Sequence, residues 1–204
     1  MLGAMPFTVA VLSAILVYTW FLDHRLPRNV VNVTIAVVAA LGVWHSIRAR
    51  EWGFDRGAFL PALRLATLIT IPGVLAILLA GVWLGTIHDR RDFLGSLGWL
   101  VIWGGAQQWL LQTLVLREAQ QVTSERTGIL LAASLFAAVH LPNPFLTAVT
   151  FVSGLAWCAT YARYPNILPL ALSHGLGTLA ILYAFDPSLT GRLRVGYSYL
   201  LLDR

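Results

Sequence analysis

The chain has 204 residues, of which 58% are hydrophobic and only 11% charged; a water-soluble domain carries roughly 25% charged residues, so a surface that meets only water is excluded. The formal net charge is +5, but the arginines are scattered over several loops, which argues against a nucleic-acid surface and for anchoring at anionic headgroups of membrane lipids, where each contributes on the order of 1 kcal/mol.

A helical span needs about 20 apolar residues. Such runs recur at 5–22, 29–47, 61–86, 94–116, 128–141, 145–162 and 167–185. They predict an all-α, polytopic transmembrane helical bundle of about six or seven spans. The stretch from Met1 through Trp20 lacks a charged n-region and a cleavage-type motif, and reads as the first span rather than a removed signal peptide. A loop at Asp23 to Pro27 follows, and Arg48, Arg50, Glu51, Asp55 and Arg56 cluster after the second run. The third run contains Pro72-Gly73, which predicts a kink. His88, Asp89, Arg90, Arg91 and Asp92 separate it from the fourth, and Pro142-Asn143-Pro144 and Tyr164-Pro165-Asn166 mark the last two breaks. The one cysteine, Cys158, lies in the sixth run and is expected to be a small membrane-facing hydrophobe. No linker, internal repeat or low-complexity tract interrupts the pattern, so residues 1–204 read as one transmembrane domain. Arginine counting leaves orientation undecided, because the two sets of loops carry equal numbers.

In a bilayer the informative side chains are the polar ones inside the spans, each costly unless partnered. Gln107, Gln108 and Gln112 lie in the fourth run after Gly104 and Gly105, with Gln108 and Gln112 spaced to share a helical face. Phe136 and His140 stand four apart near the end of the fifth, as do His174 and Thr178 in the seventh. Interhelical hydrogen bonding alone accounts for each group singly, at around 0.6–2 kcal/mol per contact. Two imidazoles and three glutamines together exceed what such glue requires. The nine Asp and Glu residues all fall in predicted loops or at span ends; Glu118, ten residues beyond Gln108, is about 15 Å further along a helix. No catalytic metal is expected: two histidines fall short of the usual three protein ligands, and Gln is a poor substitute.

The order of these motifs resembles the CPBP family, the CAAX-protease and bacteriocin-processing intramembrane proteins of the Rce1 and ABI type. That family shows paired glutamates followed by an arginine, then Phe-x-x-x-His, then His with Asn four residues on. Here the first motif reads Gln107-Gln108-Trp109-Leu110-Leu111-Gln112, the second Phe136-Ala137-Ala138-Val139-His140 with Leu141-Pro142-Asn143-Pro144 after it, and the third His174-Gly175-Leu176-Gly177-Thr178. An upstream Trp52-Gly53-Phe54-Asp55-Arg56 resembles the short amphipathic lead-in common in these proteins, so the resemblance covers about residues 45–185. It implies that a glutamate and the histidines activate water against a peptide bond. In this chain the glutamates, the arginine and the asparagine are replaced by Gln107, Gln108, Gln112 and Thr178, while Phe136, His140 and His174 remain. A primary amide cannot take a proton at neutral pH, and general-base support is worth 10²–10⁴-fold in rate. The expectation is therefore a CPBP-like protein of the bacterial inner (cytoplasmic) membrane that has lost glutamate-dependent proteolysis. It would act as a binding, scaffolding or accessory subunit, with a membrane-protein partner or larger complex, or a prenyl-lipid or peptide ligand, and without a cofactor. The alternative is an active intramembrane endopeptidase in which His140 and His174 are catalytic and Gln107, Gln108, Gln112, Phe136 and Thr178 line a polar pocket. A transporter ranks last, for want of an internal repeat or a charge deep in a helix.

Overall fold

A chain this apolar satisfies its backbone best as helix, because every N–H and C=O is then paired within its own segment. The computed structural model describes residues 5–27, 29–88 and 92–202, and over these it is helical apart from turns, loops and one isolated antiparallel bridge between Phe54 and Asn166. Met1, Arg28, Asp89, Arg90, Arg91, Asp203 and Arg204, which the sequence reading assigns to the first span, loops or the chain end, lie outside the described residues.

Helix α1 (Pro6–Val17) opens on a proline, whose missing N–H is no loss at a first helical position, and continues as a π-helical turn at Tyr18–Leu22. Next come α2 (Asn29–Ala49) and α3 (Phe59–Leu84). The expected kink at Pro72 produces no break: α3 is a single helix through it. It stops at Gly85, whose φ of 68° lets Thr86 N–H return to the Gly81 carbonyl at 3.0 Å. Helix α4 (Phe93–Leu110) runs into a second π-helical stretch, Leu111–Leu116, and then α5 (Arg117–Val122). Helix α6 (Glu125–Ala138) begins earlier than the expected 128, because Ser124 Oγ accepts Thr127 N–H at 3.2 Å and fixes the cap there. It also ends earlier, so His140 stands in the turn beyond the helix rather than within it. Then follow α7 (Pro144–Arg163), α8 (Leu168–Ala184), a 3₁₀ turn at Gly191–Leu193 and α9 (Tyr197–Leu200). Val30–Ala49, Phe59–Leu84 and Pro144–Arg163 are long and apolar enough to cross a membrane, and Pro6–Leu22 and Leu168–Ala184 are shorter apolar helices. Of the expected six or seven runs, the fourth is the one whose apolar character is diluted by Gln107 and Gln108.

The chain forms two compact units. The first comprises Met1–Trp52, Leu110–Cys158 and Gly191–Arg204. In it the α5 residue Glu118, expected at a span end, is buried, and accepts the N–H groups of Phe7 (3.2 Å) and Thr8 (2.8 Å) at the start of α1. A carboxylate placed against the orphan donors of a helix start satisfies them and the positive end of the helix dipole together. Phe7 packs edge-on against Trp44 and His45 of α2, and Arg117 holds Glu51 through Nε at 2.8 and 2.9 Å.

The second unit comprises Gly53–Trp109 and Ala159–Thr190. Helices α3 and α8 lie together because small residues let their backbones approach: a Cβ on Gly81 would stand 2.5 Å from the Ala184 carbonyl oxygen. Thr70 Oγ1 donates to Ser173 Oγ at 2.6 Å, and Thr86 Oγ1 to the Ala184 carbonyl at 2.6 Å. Residues 53–57, within the lead-in segment, are not helical. Their backbone is tied instead to the α7–α8 loop, where Asn166 Nδ2 donates to the Asp55 carbonyl at 2.8 Å and Ile167 N–H to the Gly53 carbonyl at 2.8 Å.

Candidate functional site

The motif residues fall into both units. In the second, Gln108 on α4 is fully buried and its amide nitrogen lies 3.3 Å from Nδ1 of His174 on α8. Gly104, one turn before Gln108, makes room for the ring: a Cβ there would come within 2.9 Å of His174 Cγ. An amide –NH₂ can only donate. His174 Nδ1 is therefore the acceptor and the ring proton resides on Nε2. A glutamate at 108 would impose the reverse, since a carboxylate only accepts. The change from Glu to Gln thus alters which ring nitrogen of His174 carries hydrogen, as well as removing a base. Gln107 is half-buried beside Gln108, and Thr178 is half-buried one turn beyond His174.

In the first unit, the buried Phe136 and the half-buried His140 are brought together as their spacing suggests. His140 Nδ1 is 2.7 Å from the Phe136 carbonyl, and the two rings meet edge to face at 4.9 Å. A carbonyl only accepts, so His140 carries its proton on Nδ1 and a lone pair on Nε2. Trp157 packs edge-on against Phe136 at 6.4 Å and holds that ring in turn. On these two contacts the histidines have opposite tautomers.

Gln112 is fully buried in the π-helical stretch and is hydrogen-bonded to Cys158. Cys158 is itself fully buried, which corrects the expectation of a membrane-facing thiol. An amide enclosed by apolar side chains needs a partner, and the thiol supplies one. The shared face expected of Gln108 and Gln112 assumed 3.6 residues per turn, whereas the winding widens from Leu111 onward. The two glutamines accordingly serve different partners.

Asn143 is a residue whose role the sequence reading did not identify. It is fully buried; its Oδ1 accepts Leu146 N–H at 3.0 Å and caps α7, while its Nδ2 donates to the Arg194 carbonyl at 3.0 Å. The signal was present: an asparagine directly before Pro144 is the pattern of an N-cap followed by proline at the first helical position. Among the described residues, no three His, Cys, Asp or Glu side chains gather as a metal centre would require.

Apolar helices that bury glutamine amides and hold two imidazoles through Nδ1 define a polytopic helical membrane protein with polar sites in its interior. Residues 92–180 match the family model for Type II CAAX prenyl endopeptidase Rce1-like proteins, so this segment is similar to the CPBP, Rce1-like family. The matched segment contains every motif residue from Gln107 to Thr178 and is narrower than the 45–185 suggested by the sequence reading. No curated protein and no solved structure matches the chain.

Proposed function

We propose that this CPBP-type membrane protein has lost glutamate-dependent proteolysis and works as a binding or accessory subunit in a bacterial inner membrane. The observation that carries the reading is the contact of Gln108 with His174. Where the family motif has a carboxylate, this chain buries an amide that donates to the histidine and cannot draw a proton from water. Amide and imidazole side chains of this kind suit hydrogen bonding to a peptide backbone or a lipid headgroup without attack on it. The test is native mass spectrometry of the protein extracted gently from its own membrane, alongside assay of model CAAX-type peptides. A stoichiometric protein partner and no cleavage are expected. Hydrolysis by the wild type that disappears with His140→Ala would overturn the reading.

One observation favours an active enzyme instead. His140 is held through Nδ1–H with its lone pair on Nε2, and His174 offers an N–H; those are the protonation states of a base and of a hydrogen-bond donor. Under that reading Gln107→Glu raises an activity already measurable in the wild type or leaves it unchanged; under the first there is no activity to modify.

A further inference from the structure

Residues 53–57 are laid edge to edge against the α7–α8 loop. Ile167 N–H donates to the Gly53 carbonyl at 2.8 Å, and Asp55 N–H to the Pro165 carbonyl at 3.2 Å. Asn166 Nδ2 donates to the Asp55 carbonyl at 2.8 Å, beside the bridge of Phe54 with Asn166. Asn166 is buried, and its Oδ1 accepts Leu168 N–H at 3.0 Å, so one side chain ties the segment to the start of α8. A short irregular stretch is thereby held in one shape.

This edge lies at the level of the bilayer surface. The segment leads into α3, and Arg163 ends α7; both helices are long and apolar enough to cross a membrane, so those helix ends stand among the headgroups. Two kinds of side chain gather there. Phe54, Leu60 and Leu168 are exposed, at 49%, 59% and 51%. Arg56, Arg64 and Arg163 are exposed as well, and among the described residues none of the three is paired with a carboxylate. The nearest acid, Asp55, is turned to its own loop, where Oδ1 accepts Gly57 N–H at 2.8 Å. The Arg163 guanidinium lies 5.4 Å from the centre of the Tyr164 ring. Because Asp55 is bonded to Pro165, Arg56 and Arg163 stand on the same edge, each within two residues of that bond.

A guanidinium at this level finds its counter-charge in a lipid phosphate, to which its planar fork can donate two parallel N–H bonds. Apolar side chains on the same edge favour a phosphate that carries acyl chains over one free in water. We propose that the edge formed by residues 54–64 and 163–168 is a binding site for the headgroup of an anionic phospholipid. Arg56 and Arg163 take the phosphate, Arg64 adds charge further along α3, and Phe54, Leu60 and Leu168 meet the upper acyl chains. A zwitterionic headgroup carries the same phosphate but offsets its charge with an ammonium, so the site discriminates between the two. It makes no use of Gln108 or His174 and stands or falls apart from the role given to them.

The test is native mass spectrometry of the full-length protein in detergent, titrated with phosphatidylglycerol or with phosphatidylethanolamine. Phosphatidylglycerol is expected to bind the more tightly. Each arginine at a membrane surface is worth about fivefold in affinity, so Arg56→Gln with Arg163→Gln lowers phosphatidylglycerol binding by about 25-fold. Arg48→Gln with Arg126→Gln removes the same charge from exposed positions elsewhere and leaves that binding unchanged. All four side chains are exposed, so neither pair disturbs the core. Equal losses in the two pairs would mean that net charge alone attracts the lipid, and would overturn the proposal. So would phosphatidylethanolamine bound as tightly as phosphatidylglycerol, or displacement of the lipid by an equal concentration of inorganic phosphate.

Discussion

The exchange of one oxygen for one nitrogen at position 108 has its first effect on a proton several bonds away. In ¹⁵N-histidine spectra, His174 is expected to be protonated at Nε2 in the wild type and at Nδ1 in Gln108→Glu, with His140 unchanged. The same tautomer in both proteins would remove the basis for assigning Gln108 that control. Gly104→Ala drives a methyl group into the His174 ring, and overpacking of this kind costs about 1–3 kcal/mol; a lower melting temperature in detergent is the readout. The identities of these residues were legible in the sequence, as was the pairing of Phe136 with His140, since four-residue spacing near a helix end brings side chains together. The tautomers were not legible, because each depends on which atom meets Nδ1 in the folded chain: the Gln108 amide across α4 and α8, and the Phe136 carbonyl at the end of α6. The burial of Cys158 escaped for a related reason, because packing between helices decides it and periodicity does not reveal that packing.

At the scale of elements, hydropathy located α1, α2, α3, α7 and α8 to within about two residues, and turn chemistry explains that accuracy: prolines and polar clusters end each run sharply. It misplaced α6 by three residues at each end, because a helix cap at Ser124 outranks apolar character in deciding where winding begins. What sequence could not supply was how the elements are fastened. Glu118 looked like a surface residue beyond a span, yet its carboxylate takes two N–H groups at the start of α1. Glu118→Ala leaves those donors without an acceptor in an apolar surrounding, a cost of about 1–3 kcal/mol. The expected signature is faster hydrogen exchange at Phe7 and Thr8 with α8 unaffected; unchanged exchange would mean that packing of α1 alone suffices. In the other unit, Gly81→Leu is expected to lower the melting temperature more than Gly81→Ala, because each added carbon pushes further into the Ala184 backbone.

Over the whole molecule, exposed aromatic side chains bear out its place in a lipid environment. Trp44, Trp52, Trp83, Trp99 and Trp103 all remain exposed, Trp83 at 85%, and rings of that kind sit at the level of the headgroups or against the acyl chains. In liposomes, tryptophan emission is expected to be quenched by lipids brominated along the acyl chain, whereas aqueous iodide has a smaller effect; dominance of iodide would contradict the assignment of these faces to lipid.

The fully enclosed thiol of Cys158 has a practical corollary. With one cysteine among the 204 residues, and that one shielded from solvent and bonded to Gln112, maleimide or nitroxide reagents find no native target in the folded protein. A cysteine introduced at Leu193 or Tyr197 would then be labelled alone. The natural sequence is already the background that spectroscopists otherwise have to engineer, ready to carry a spin label or dye on any position whose movement is in question.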